Sequence, residues 1–300
     1  MTALLSVAVY SFNRGPWLAN CVASVRRNLP FAALTVFDDS SDEAGTRAVL
    51  ADLAAQGVAV AVPDGARGAR HGGLYANMQA ALAGCGTRLI LNLQDDAQVV
   101  RPVAPGDLQA VAGHMDRTGA AFCGVLFAQG RRARAAARRA VPVPDAPFHI
   151  QGNSSLRAPR PLAYRDVALA DAARLRRDGW TYAGAEAANA RAARAAYGAM
   201  PMMDAPFAAF VPEVPTFRAR GRTLAARLAE RLLGRAVKPF ADMTPAEAAR
   251  LGSAGRGPAL ASAWLRPLDP RVRPPFEPNA VDVFAALRWL ERAETALRRR

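Results

Sequence analysis

Lysine is almost missing from this chain. Of its 39 basic residues only Lys238 is not an arginine, and with 25 acidic residues the formal charge is +14. That balance excludes an acidic surface and favours anionic partners such as nucleic acid, phospholipid headgroups or phosphorylated substrates. An arginine- and alanine-rich composition is also what a biased genomic nucleotide content produces. No aromatic-interleaved basic motif of a nucleic-acid reader accompanies the charge, so no specific nucleic acid is expected. Cysteine is scarce as well. Cys21, Cys85 and Cys123 are odd in number and scattered, which excludes a disulfide framework and a cysteine-built metal site and suits reduced thiols. No stretch approaches the roughly 18 uninterrupted apolar residues of a membrane span. Met1-Thr2-Ala3-Leu4-Leu5 lacks a basic n-region, so no secretion signal is read and the expected location is cytoplasmic. Finally, no G-x-G-x-x-G turn follows the first apolar run, which excludes the dinucleotide-binding fingerprint.

What is present is an alternation of apolar runs and helical patterns. Leu4–Tyr10, Ala33–Phe37, Val58–Val62, Leu89–Leu93 and Ala120–Phe127 read as strands. Between them Pro16–Arg27, a stretch from Ser41-Asp42-Glu43 to Gly57, Gly73–Ala83 and Asp107–Arg117 read as helices. Such alternation predicts a mostly parallel sheet with helices on both faces. Further on, Phe148–Gly152 reads as a strand, Pro161–Arg177 as a helical region and Ala185–Tyr197 as a helix. Beyond Phe217 two or three helical patterns predict a C-terminal extension.

Two strands end in paired carboxylates. Leu89-Ile90-Leu91-Asn92-Leu93-Gln94 runs into Asp95-Asp96, and Ala33–Phe37 runs into Asp38-Asp39. Open α/β sheets bind ligands outside the carboxyl ends of their strands. Adjacent acids there repel, and a divalent cation or hydrogen-bond donors must offset that repulsion. The loop Ser11-Phe12-Asn13-Arg14 adds a hydroxyl, an aromatic face, an amide and a guanidinium, which suit a nucleoside base and a diphosphate.

These motifs in this order resemble the family 2 glycosyltransferases of the GT-A fold. The resemblance rests on Ser6–Arg14, Leu18, Cys21 and Ser24-Val25, Asp38–Asp42, Arg70-His71-Gly72-Gly73-Leu74 with Asn77, and Gln94-Asp95-Asp96 followed by Pro102. It covers roughly residues 4–130 well and 148–215 weakly. It implies an α/β, GT-A (nucleotide-diphospho-sugar transferase) Rossmann-like, mostly parallel sheet flanked by helices. The expected division is a GT-A domain at 1–216, donor-binding over 1–130 and acceptor-binding over 131–216, with a helical extension at 217–300.

The resemblance also implies roles. Ser11, Phe12, Asn13, Arg14, Asp38, Asp39, Arg70, Asn77 and Asp95 would bind a nucleotide-sugar. Phe12 and Asp39 would meet the base, Arg14 or Arg70 the phosphates, and Asp95 the ribose or sugar. Asp96, with Asp95 as the alternative, would hold Mn²⁺ or Mg²⁺. Gln94 stands where the first acid of the family's D-x-D element is expected, so the register is open by one residue. Members of the family invert the anomeric centre with a carboxylate base. Glu186 in Tyr182-Ala183-Gly184-Ala185-Glu186 is the candidate, although Ala187 replaces its usual acidic neighbour; Asp178 and Asp204 are rivals. His149 is read as a structural hydrogen-bonder or a member of a metal or acceptor site. Trp180 and Tyr182 either pack in the core or stack on a sugar.

The expected function is transfer of a hexose-type sugar from UDP or another nucleoside diphosphate to a hydroxyl of a glycan, lipid or protein. The alternatives are a non-catalytic GT-A-like binder of glycan or nucleotide and a basic nucleic-acid-binding protein. Peripheral membrane attachment through the Arg131–Arg139 run or the C-terminal arginines stays open.

Overall fold

The computed structural model describes residues 5–62, 73–152, 160–215 and 223–297. In chain order the elements are β1 (Leu5–Ser11), α1 (Gly15–Asn28), β2 (Ala33–Asp38), α2 (Ala44–Ala55), β3 (Ala59–Ala61), α3 (Leu74–Gly84), β4 (Leu89–Gln94), β5 (Ala97–Val99) and α4 (Pro105–Thr118). There follow β6 (Phe122–Cys123), α5 (Ala133–Ala137), β7 (Val141–Pro142), β8 (Phe148–Ile150), β9 (Ala168–Asp171), α6 (Ala172–Arg177), α7 (Glu186–Tyr197), β10 (Pro201–Met203) and β11 (Ala208–Phe210). The last helices are α8 (Leu224–Leu233), α9 (Pro245–Ser253), α10 (Ala261–Trp264), α11 (Ala280–Val283) and α12 (Ala285–Leu297).

Among the described residues six strands form the central sheet in the order β3-β2-β1-β4-β9-β6. The four strands β3, β2, β1 and β4 are parallel, and β9 joins antiparallel to both β4 and β6. The inner strands are buried on both faces, which is why β1 reads as a continuous apolar run rather than an alternation. Leu5, Val7 and Val9 of β1 face α1, α2 and α4, while Ala8 and Tyr10 face α3 and the region of α6 and α7. Pro16 starts α1 where its missing N–H costs nothing. Gly15 is required by close approach, because a Cβ there would lie 2.9 Å from Thr46 Cα.

Two expected elements differ. The run Ala120–Phe127 is a strand only at Phe122–Cys123; beyond it the chain leaves the sheet and makes isolated bridges to Met202 and Ala208. The region Pro161–Arg177 is not one helix, because Ala168–Asp171 is a fully buried strand before the short helix α6. Its alanines favour a helix locally. Burial in the slot between β4 and β6 overrides that preference.

Beyond residue 223 the chain packs back on the sheet domain. Phe240, Met243, Leu251, Leu265, Val272 and Phe276 share a cluster with Val100, Phe127 and Ala209. The Gln98 amide binds this segment at both ends, donating to the Phe240 carbonyl at 2.7 Å and accepting from its N–H at 3.0 Å. Helices α8, α11 and α12 form a smaller cluster around Ala225, Ala229 and Val281. Glu294 accepts from the Leu224 and Ala225 N–H groups, which places its charge at the positive end of α8. Among the described residues no helix is long and apolar enough to cross a membrane. Gln98→Ala leaves both Phe240 backbone groups buried without partners. A loss of about 1–3 kcal/mol in urea unfolding is expected, and an unchanged midpoint would contradict this role.

Candidate active site

The register brings the strand ends level. Ser11 lies opposite Asp38, and Tyr10 opposite Gln94. The ladder runs one residue further on both sides: Asp39 N–H donates to the Ser11 carbonyl at 2.9 Å and Asp95 N–H to the Tyr10 carbonyl at 3.0 Å. The backbone of each acidic pair is therefore held by β1. Arg14, just before α1, turns back over the pair on β4. Its Nη1 donates to Asp95 Oδ1 at 3.1 Å and to Asp96 Oδ2 at 2.8 Å. Phe12 N–H donates to Asp95 Oδ2 at 3.3 Å.

One guanidinium thus faces two carboxylates, so the cluster carries a net negative charge when both are ionised. Burial pushes the Asp95 carboxyl up; Arg14 opposes that and the neighbouring Asp96 adds to it. Asp96 Oδ1 and Ser11 Oγ are buried and have no hydrogen-bond partner among the described residues. Among those residues no three His, Cys, Asp or Glu side chains group together as a metal cage. A Mg²⁺- or Mn²⁺-type site held by one or two carboxylates and completed by substrate phosphates needs no such cage. The unpartnered Asp96 oxygen fits that kind of site.

The other expected residues divide. Asp39 Oδ2 accepts the Gly73 N–H at 2.6 Å, and a Cβ on Gly73 would fall 2.2 Å from Asp39 Oδ1, so glycine is needed for this approach. The Phe12 ring is exposed at the rim. Asp38 is buried and turned inward, accepting from Ser41 N–H at 2.7 Å and Ser41 Oγ at 2.6 Å. Asn13, at φ 51°, uses its side chain to brace the loop before α2, accepting from the Asp42 and Glu43 N–H groups at 3.0 Å. Asn77 is buried within α3. Arg70, with His71 and Gly72, lies outside the described residues.

Glu186 is not part of the Arg14 cluster. It is exposed at the first position of α7, near Tyr75 and Asp166. Asp178 is the C-cap of α6 and pairs with Arg177. Asp204 and His149 form a buried pair, with Nδ1 at 2.8 Å from Oδ1, and Asp204 also takes the Gly257 N–H at 3.1 Å and faces Arg256 at 3.3 Å. That pair ties β8 to the C-terminal segment. Trp180 is buried and packs edge-on against Phe122, with centroids 5.5 Å apart.

Asp166 is a carboxylate that the sequence reading missed. It accepts from the Tyr75 hydroxyl at 3.3 Å, and its Oδ1 is buried with no hydrogen-bond partner among the described residues. Burial, then the nearby Glu186 charge, pushes its carboxyl up to about 7 against the Tyr164 and Tyr75 hydroxyls. The only signal in the sequence is an acid two residues before a short apolar run, and that run reads as helix.

A profile of glycosyl transferase family 2 matches residues 6–169. The chain belongs to that family. It is a glycosyltransferase by this membership, and the matched span holds both acidic pairs, Arg14 and Asp166. A comparison with curated proteins finds no match. Among solved structures the chain is similar to S. aureus TarS 1–349, at 14% identity and TM-score 0.45, covering 83% of this chain and 69% of that one. It covers 42% of the longer TarS chain. It is also similar to the mannosyltransferase PcManGT from Pyrobaculum calidifontis in complex with GDP-Man and Mn²⁺, at 15% identity and TM-score 0.46, covering 98% of this chain and 73% of that one. Glucosyl-3-phosphoglycerate synthase from Mycobacterium tuberculosis is a partial likeness, at 16% identity and TM-score 0.30 over 45% of this chain and 47% of that one.

Arg14→Met tests the electrostatics of the site. The folded protein keeps the Asp95 proton to higher pH than the unfolded chain does, so ionising Asp95 costs stability as pH rises. Without Arg14 that cost grows. In chelator, urea unfolding is expected to show a loss of about 3–5 kcal/mol near pH 8 and a smaller loss near pH 5, where Asp95 is neutral. Equal losses at both would contradict the electrostatic assignment.

Proposed function

We propose that this glycosyltransferase moves a sugar from a nucleoside-diphosphate-sugar to a hydroxyl acceptor, with inversion and with Mn²⁺ or Mg²⁺ as cofactor. The observation that carries the reading is the Arg14–Asp95–Asp96 cluster, set at the carboxyl ends of β1 and β4 in a chain matched by the family over 6–169. Phe12 offers its exposed ring to the base, and Asp39, held by Gly73, offers a carboxylate to the base edge. Arg14 offers positive charge to the diphosphate. Asp95 faces the ribose or the sugar. Asp96, through Oδ1, is the proposed metal ligand, with Asp95 as the alternative. A bound divalent cation neutralises charge developing on the departing diphosphate.

In this reading residues 1–130 bind the donor, 131–216 contribute the acceptor side of the GT-A domain, and 217–300 are a helical extension. The acceptor class is a glycan, a lipid-linked saccharide or a protein. Exposed Trp289 and Leu297 on α12, on a helix that also carries Arg288 and Arg292, support peripheral attachment to an anionic membrane face. Ala187, standing where the family carries an acid, favours a second reading in which the domain binds donor or glycan without transfer.

Thermal melts with UDP and GDP, with and without Mn²⁺, test the donor site. One nucleoside diphosphate is expected to raise Tm in Mn²⁺, by the equivalent of about 2.7 kcal/mol at a hundred times its Kd. Asp96→Asn is expected to lose the Mn²⁺-dependent part of that shift. The same shift in Asp96→Asn, or none with any nucleoside diphosphate, would contradict the proposal.

A further inference from the structure

We propose that Asp166, rather than Glu186, is the general base that takes the proton from the acceptor hydroxyl. The inference rests on the transferase reading above and concerns the acceptor half of the same site. Three observations carry it. The first is topological. Strand β9 runs antiparallel to β4, with Ala168 opposite Asn92. Asp166 is two residues before Ala168, whereas Asp95 is three residues after Asn92. The antiparallel pairing therefore brings both acids to the same end of the sheet, from adjacent strands. An all-parallel sheet would have put the residue entering this strand at the opposite end.

The second observation is the state of the carboxylate. Oδ2 is held by the Tyr75 hydroxyl at 3.3 Å, while Oδ1 is buried with no hydrogen-bond partner among the described residues. One oxygen is positioned and the other keeps its lone pairs, as a proton acceptor requires. The surroundings are polar and ordered. Tyr10 Oη donates to Asn92 Oδ1 at 2.6 Å, and Tyr182 lies nearby. The titratable groups acting on Asp166 are Tyr75 from α3, Tyr164 beside it, Tyr182 from the loop before α7, Glu186 at the start of α7, and Tyr10 from β1. Burial and Glu186 together hold its carboxyl near 7, where a base is half ionised at neutral pH and still basic enough to act.

The third observation concerns Glu186. It is exposed, and Ala187 follows it. In this arrangement Glu186 tunes Asp166 through its charge. The step balances. The acceptor O–H proton passes to Asp166 Oδ1, and the acceptor oxygen bonds to the anomeric carbon. The bond from that carbon to the diphosphate oxygen breaks, and the nucleoside diphosphate leaves with the electron pair.

The test follows nucleoside diphosphate release from UDP-glucose, UDP-GlcNAc and GDP-mannose with Mn²⁺ over a range of pH, water serving as acceptor. It is paired with Mn²⁺–UDP and Mn²⁺–GDP binding and with ¹³C NMR titration of labelled aspartate carboxyls. Asp166→Asn is expected to slow release by about 10²–10⁴-fold, to keep nucleotide affinity, and to remove a carboxyl resonance titrating near neutrality. Glu186→Gln, which removes a negative charge, should keep turnover and move the acid limb of the pH profile to lower pH. Tyr75→Phe, which removes a donor to the charged form, should move it to higher pH. Opposite shifts in these two variants support the assignment even if Asp166→Asn does not fold. Full release and an unchanged acid limb in Asp166→Asn would overturn it, as would collapse of turnover in Glu186→Gln or an Asp166 carboxyl titrating in the ordinary carboxylate range. Failure of the wild type to bind any nucleoside diphosphate would instead overturn the transferase reading beneath it.

Discussion

Two carboxylates that follow one another at the end of a buried strand repel, and the contact that makes them tolerable is Arg14. Its Nη1 reaches both Asp95 and Asp96, and much of the local fold serves to put it there. Helix α1 has to begin immediately after it, which Pro16 in the first turn favours. The start of α1 is pinned to α2, where Gly15 N–H donates to Thr46 Oγ1 at 2.9 Å. Asn13, in a left-handed conformation, ties the same turn to the loop before α2. The neutralisation is deliberately incomplete in its geometry: one guanidinium leaves Asp96 Oδ1 buried and without a partner among the described residues. A site with residual negative charge and an unused oxygen is suited to a cation that arrives with an anionic ligand.

The sheet topology then divides the labour. The parallel strands β2, β1 and β4 deliver their carboxyl ends side by side, which gathers Asp38, Asp39, Ser11 and the Arg14 cluster. The antiparallel strand β9 enters the sheet from that same end. A doubly wound sheet of parallel strands alone collects groups only from strand ends; one reversed strand adds a group from a strand beginning. Asp166 reaches the edge in this way. It sits in a cluster of tyrosines on the α3 and α7 side, away from the arginine on the α1 side.

Much of this was legible in the sequence, for physical reasons. Buried parallel strands are continuous apolar runs, and β1, β2 and β4 each extend one residue past the apolar run, to Ser11, Asp38 and Gln94. Helices α1, α3, α4 and α7 carried clear apolar faces or helix-favouring composition. The donor-side cluster followed from acids placed just after such strands. What was not legible depended on tertiary context. Ala168-Leu169-Ala170 is alanine-rich and reads as helix, yet it fills a buried slot as β9. With that strand hidden, nothing marked Asp166 as lying at the ligand edge. Local hydrogen bonding was equally invisible: Asp38 and Asn13 brace loops, and His149 is paired with Asp204.

The claim on which everything else rests is that Asp96 and its neighbours form a cation site completed by a nucleotide diphosphate. Electron paramagnetic resonance of free Mn²⁺, titrated with the protein in the absence and presence of UDP or GDP, reads it directly. The expected result is weak depletion of the free signal by protein alone, strong depletion when one nucleoside diphosphate is added, and loss of that enhancement in Asp96→Asn. Nucleotide-independent Mn²⁺ binding, or enhancement that survives in Asp96→Asn, would contradict it.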